Sequence, residues 1–198
     1  MRVKQMMAWF RAYTAHDDPR VAASNLIALM VASNGPFYPL YVWLLLGRPF
    51  WPSLLTMLSS PLFFAVPAVA RRHSVAGRAM LPLVGILNTL ICIKALGEAS
   101  QVGLFLLPCI AIPAMTMRPR QRLLQLALVG LPIAIFLFAR GHFGAPLYPY
   151  SEAQFAEMTA LNTGSVMTFT GFLGLVFAGV LTEAETKQAA DSPMRPPP

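Results

Sequence analysis

Three histidines, two cysteines and a set of serines are the residues in this chain best suited to catalysis, and their positions argue against it. A serine nucleophile needs a histidine base within hydrogen-bond reach. His16, His73 and His142 all fall in loops or near termini, so Gly164-Ser165, set inside a long apolar run, reads as helix packing. Zinc chemistry needs clustered ligands, and there is neither a His-Glu-x-x-His nor a Cys-x-x-Cys pair. Proton-coupled transport usually keeps an ionisable group at membrane depth. The apolar runs contain none in their interiors; Lys94 sits at the end of one, where its stem can snorkel to a polar boundary. No catalytic residue, cofactor or metal ligand is expected, and the chain is not read as an enzyme.

Uncharged polar residues remain. Asn34, Asn88, Thr89, Cys92, Asn162, Thr163, Ser165, Thr168 and Thr170 lie within apolar runs. Of these, Asn88, Thr89, Asn162, Thr163, Ser165 and Thr168 are the candidates for lining a polar cavity or, alternatively, for hydrogen bonds between helices. A second candidate surface is the hydrophilic connection carrying His142, Phe143, Tyr148 and Tyr150, read either as external recognition or as an interfacial aromatic belt. Cys92 and Cys109 occupy two successive apolar runs. They are either close enough in depth to pair or simply two small core residues.

The elements that must position these residues follow from composition. Of the 198 residues, 56% are hydrophobic and 12% charged, against about 25% charged in soluble domains. The expected fold is all-α: a polytopic bundle of six transmembrane helices, with spans at about 21–46, 51–70, 79–96, 102–117, 123–139 and 158–181. Residues 1–20 form a basic N-terminus in which Val3, Met6, Met7, Phe10 and Tyr13 recur at helical spacing. They suit an amphipathic helix on an anionic surface or a frayed basic end. Asp18-Pro19 is a helix start, and Asn34-Gly35-Pro36 with Pro39 predicts a kink inside the first span. Ser151 can cap the helix leading to the last span, and residues 182–198 form a tail with a proline-rich end. No cleavable leader is expected, because no small-residue cleavage pattern follows a short hydrophobic segment.

The formal charge of +7 is distributed as a topology signal rather than as a nucleic-acid-binding face. With six spans, twelve of the fifteen basic residues fall on one side and only Arg48, Lys94 and Arg140 on the other. By the positive-inside rule both termini are cytoplasmic, the protein is a multi-pass component of the cell membrane, and the His142 loop is external. In the last span Ala160, Gly164 and Thr168, and likewise Thr170, Gly174 and Ala178, are spaced by four. That spacing allows close helix approach within the bundle or across a homo-oligomer.

Several segments together resemble the compact six-span N-terminal membrane module of some bacterial sensor histidine kinases and nucleotide cyclases. They are Asn34-Gly35-Pro36-Phe37-Tyr38-Pro39, Arg71-Arg72-His73, Gly141-His142-Phe143-Gly144-Ala145-Pro146, Leu161-Asn162 and Leu175-Val176-Phe177-Ala178-Gly179. The similarity covers about Val21 to Glu185 and implies signal transduction at a bacterial inner membrane. In such proteins the last span continues into a helix that joins an output domain. No output domain is expected in the short tail here, so signalling would pass through a cytoplasmic or membrane partner. Two classes of function follow: a sensory or regulatory membrane module, or a small transporter or channel subunit with a polar path between the third and sixth spans.

Overall fold

The structure, a computed structural model, describes residues 2–191. The chain is all-α, and no strand occurs among the described residues. Its helices are α1 (Arg2–Thr14), α2 (Pro19–Asn34), α3 (Phe37–Leu46), α4 (Ser60–Arg72), α5 (Ser74–Leu96), α6 (Leu106–Thr116), α7 (Arg122–Ala139) and α8 (Glu152–Asp191). Four stretches are long and apolar enough to cross a membrane: Arg48–Arg72, Ser74–Leu96, Pro119–Ala139 and Glu152–Glu183. The pair α2 and α3 qualifies only as a unit, bent by 40°, and Val102–Thr116 is a shorter apolar helix.

Local chemistry accounts for the helix boundaries. Asp18 caps α2, its Oδ1 accepting from the Arg20 amide at 3.0 Å, and Pro19 occupies the first turn, where no backbone donor is missed. The bend after Asn34 falls at Gly35-Pro36, as proline chemistry demands. Packing at Gly35 is close as well, since a Cβ there would force the Ser60 hydroxyl of α4 to turn away. Ser151 and Gln154 cap α8 reciprocally: Ser151 Oγ accepts from the Gln154 amide at 3.3 Å, and Gln154 Oε1 accepts from the Ser151 amide at 3.0 Å. This box starts α8 six residues before the expected Met158. The helix then continues past Leu181 to Asp191, and the proline-rich end at 192–198 lies outside the described residues.

Two elements differ from the expected simple spans. Residues Arg48–Ser59, of which 51–59 are expected to open the second span as α-helix, form a 3₁₀ segment that passes into α4. Pro49 and Pro52 withdraw amide donors. Thr56 donates back to the Ser53 carbonyl at 2.7 Å, and the Ser59 hydroxyl stands 3.2 Å from the Thr56 carbonyl. Because residues three apart eclipse in a 3₁₀ helix, Ser53, Thr56 and Ser59 form one row, which is buried. Helix α5 begins at Ser74, five residues before its expected start, so that Arg78 lies inside the helix rather than in the loop before it.

Helix α5 packs against α2, α4, the 3₁₀ segment, α6 and α7. The main core lies toward the end of the bundle where α2 starts and α4 ends. It joins Ile27 and Ala28 of α2, Phe63 and Val66 of α4, Leu81 of α5, Ile112 of α6, and Leu173 and Phe177 of α8. That end also gathers the basic residues, and is called the basic end below. Arg78 is 1% exposed and donates from Nη1 to the Thr116 carbonyl at 2.6 Å and from Nε to the Ser74 carbonyl at 3.2 Å. Arg20 donates to the Met117 carbonyl at 3.1 Å, and Arg118 pairs with Asp18 at 2.7 Å. Burial disfavours the Asp18 carboxylate, but the Arg20 amide and Arg118 guanidinium outweigh it and hold the carboxyl below its ordinary pKa. Helix α1 is fastened here too: Arg71 stacks on the Tyr13 ring and donates to the Tyr13 carbonyl at 2.9 Å, and the Tyr13 hydroxyl donates to the Phe64 carbonyl at 2.8 Å.

Candidate functional site

Between the bent pair α2–α3, the 3₁₀ segment with α4, and α5, α6 and α8 lies a cavity of about 670 Å³. Its floor, toward the basic end, is Phe63, Leu81 and Ile112, which belong to the main core. Its wall is mostly aromatic and aliphatic, with Phe105, Phe169 and Phe172 among the rings. None of the lining residues is acidic, basic or histidine.

A belt of neutral polar groups interrupts the apolar wall. Asn88, half-buried on α5, accepts at Oδ1 from the Ser59 hydroxyl at 2.8 Å, so the 3₁₀ row and α5 are joined at the cavity edge. The amide nitrogen of Asn88 has no hydrogen-bond partner among the described residues, nor do the side chains of Asn34, Ser60 and Ser165, all of which line the space. Thr89 and Thr168 line it as well, but their hydroxyls donate to the carbonyls one turn back, those of Gly85 and Gly164, each at 2.9 Å. Cys92 and Cys109 are both free, buried and part of the lining. Gly85 lets α5 approach α6 closely: a Cβ there would stand 2.8 Å from the Cys109 sulfur, which would have to shift. A site of this kind can bind a neutral molecule through a few hydrogen bonds; it offers no compensating charge to an ion.

Four of the six expected polar residues, Asn88, Thr89, Ser165 and Thr168, therefore meet at one cavity. Asn162 does something else. It is fully buried in the roof, accepting at Oδ1 from the Tyr38 hydroxyl at 2.8 Å and donating from Nδ2 to the Ser100 carbonyl at 2.8 Å. These bonds tie α3, α8 and the turn after α5 together. Thr163 is not among the lining residues. The sequence reading did not single out Thr56, Ser59, Ser60 and Tyr38 as cavity residues. The signal for the row was the three-residue spacing of Ser53, Thr56 and Ser59, which is invisible when the segment is read with an α-helical period.

The connection from Arg140 to Ser151 folds over the far end of α5. Lys94 Nζ donates to the carbonyls of Phe143 and Ala145, each at 3.1 Å, so its ammonium pins this loop rather than reaching outward. Glu98 accepts from the Gly141 amide at 2.8 and 3.0 Å, and the Leu147 amide donates to the Ala95 carbonyl at 3.2 Å. Of the four recognition candidates His142 is exposed, while Phe143 packs half-buried against Cys92, Ile93 and Val102. Tyr148 lies against Tyr150 at 5.1 Å between ring centroids, and Tyr150 is buried with its hydroxyl donating to the Pro49 carbonyl at 3.1 Å. Burial first, and then the neighbouring Tyr148, pushes the Tyr150 hydroxyl up to about 12.

No family model matches the chain, and no curated protein or solved structure is significantly similar to it.

Proposed function

We propose that this protein is a six-span membrane module with a sensory or regulatory role, which binds a ligand in the central cavity and acts through a partner rather than by its own catalysis. Four long apolar helices support the membrane setting, with the bent α2–α3 pair and the short Val102–Thr116 helix as the remaining two spans. The short helix, about 24 Å by its 3₁₀ and α rises, would need local thinning of a ~30 Å hydrocarbon layer. With six spans the basic end faces the cytoplasm, together with both termini.

The observation that carries the reading is that the cavity meets the packed core at its basic-end side. Phe63, Leu81 and Ile112 close it over the packed core toward the basic end, where a conducting path would have to continue. Helix α8 supplies Ser165, Phe169 and Phe172 to the cavity wall and runs unbroken to Asp191, so a shift in its packing at the cavity is transmitted to the basic end. The resemblance to sensor-kinase and cyclase membrane modules, whose last span leads to an output domain, points the same way. The test is solute flux in reconstituted liposomes: a sensory module conducts no more than empty vesicles. A saturable flux of a small solute would overturn this reading in favour of transport.

A further inference from the structure

We infer that the cavity is a site for an uncharged amphiphile, a molecule with one hydrogen-bonding head and a hydrocarbon body, and that charged and zwitterionic molecules are excluded. The inference rests on the membrane reading above and deepens it by naming the ligand class. Three features of the wall determine the chemistry. Its 670 Å³ falls within the ~300–1,000 Å³ typical of small-molecule sites. No lining side chain carries a formal charge, so an ion entering this space would shed its hydration shell with no opposite charge to meet it.

The polar groups are also unevenly committed. Asn88 is fixed by Ser59 through its carbonyl oxygen, which leaves the amide nitrogen as a donor with no partner among the described residues. Ser165 on α8 and Ser60 on α4 have hydroxyls with no partner among those residues either, free to donate or accept. A head group with a carbonyl or hydroxyl has these groups on α4, α5 and α8 to bond with. The hydrocarbon body then lies along Phe63, Phe169 and Phe172. A saturated hydrocarbon would leave Asn88 and Ser165 unmatched, and a carboxylate would bring a charge that nothing in the wall balances.

The probe is a straight-chain alcohol bearing a diazirine near its end, compared with the carboxylate of the same chain length on the full chain in lipid nanodiscs. Labelled residues are mapped by peptide mass spectrometry. Saturable labelling by the alcohol should concentrate on α5, α6 and α8 around the cavity, be displaced by unlabelled alcohol, and exceed that by the carboxylate about tenfold or more. Asn88→Leu should lower the alcohol's occupancy roughly three- to tenfold. Gly164→Phe, at a lining position where an added Cβ meets nothing within 4 Å, should abolish it by filling the space. Leu123→Phe, on an 85% exposed side chain of α7, should change nothing.

Equal labelling by alcohol and carboxylate, or labelling spread over α7 without saturation, would overturn the inference. The comparison of the two probes uses the native chain and stands even if a variant fails to fold. Saturable cavity labelling together with solute flux would keep the ligand class and remove the sensory role. Absence of both would remove the ligand class and leave the sensory role standing.

Discussion

Helix α5 and the stretch Pro119–Ala139 that contains α7 are about equally apolar, yet half of the most apolar part of the first is buried and only 11% of that of the second. What separates them is where the polar side chains are. Helix α5 carries Arg78 at one end, Asn88, Thr89 and Cys92 in the middle and Lys94 at the other end, and each finds a use in the bundle. Helix α7 carries Gln125 near its start, donating to the Ala114 carbonyl of α6 at 2.8 Å, and otherwise presents Leu126, Ile133, Phe136, Leu137 and Phe138 outward. In a bilayer such a surface costs nothing, since lipid tails are as apolar as leucine. Hydropathy therefore marks both as apolar enough to cross a membrane, and only the polar pattern tells the central helix from the peripheral one.

Substitutions can break this contrast, and the largest effect should come from the central helix. Arg78→Leu removes the guanidinium's bonds to the Thr116 and Ser74 carbonyls and leaves the basic end without its buried anchor. A loss of about 2–4 kcal/mol is expected from thermal or denaturant unfolding in detergent. Next comes Asn162→Leu, which strips the roof of its bonds to Tyr38 and Ser100. It should cost about 1–3 kcal/mol and loosen the α3–α8 contact seen by crosslinking, whereas Ser165→Leu, with no bond to lose, should leave stability nearly unchanged.

Smaller still is the pH response of the Asp18–Arg118 clasp. The folded carboxyl has a lowered pKa, so its contribution is present above the ordinary value of 3.8 and is lost as pH falls through the lowered folded value. The size should be less than about 1 kcal/mol for this solvent-screened pair, and Asp18→Asn should flatten that part of the stability profile. At the bottom of the scale, Leu123→Ala or Leu137→Ala on α7 should fall within about 0.5 kcal/mol of the native protein. A loss there comparable to that of Arg78→Leu would mean that α7 has a partner surface outside this chain.

The sequence revealed those features that depend on one or two neighbouring residues. Asp18-Pro19 marked the start of α2, Asn34-Gly35-Pro36 marked the bend, and Ser151 marked the entry to α8, because caps and prolines act locally. The 3₁₀ row was hidden because apolar composition at Phe50, Trp51 and Leu54 looks the same at a period of 3.0 or 3.6. The roles of Asn162 and Lys94 were hidden for a different reason: their partners, Tyr38, Ser100 and the loop carbonyls, lie many residues away, and no spacing rule announces them. The polar residues at cavity depth were visible as a set. Which of them kept a free hydrogen-bonding group was decided by tertiary packing alone.

The central claim, a cavity closed toward the basic end and walled without charge, can be tested with a nitroxide attached at position 165 in a chain whose two native cysteines are replaced by alanine. Its collision rates are measured with oxygen and with a water-soluble nickel chelate confined to the side of the basic end. The account predicts frequent collisions with oxygen and none above background with the chelate. Chelate collisions at position 165 from that side would show an aqueous path through the floor and contradict it.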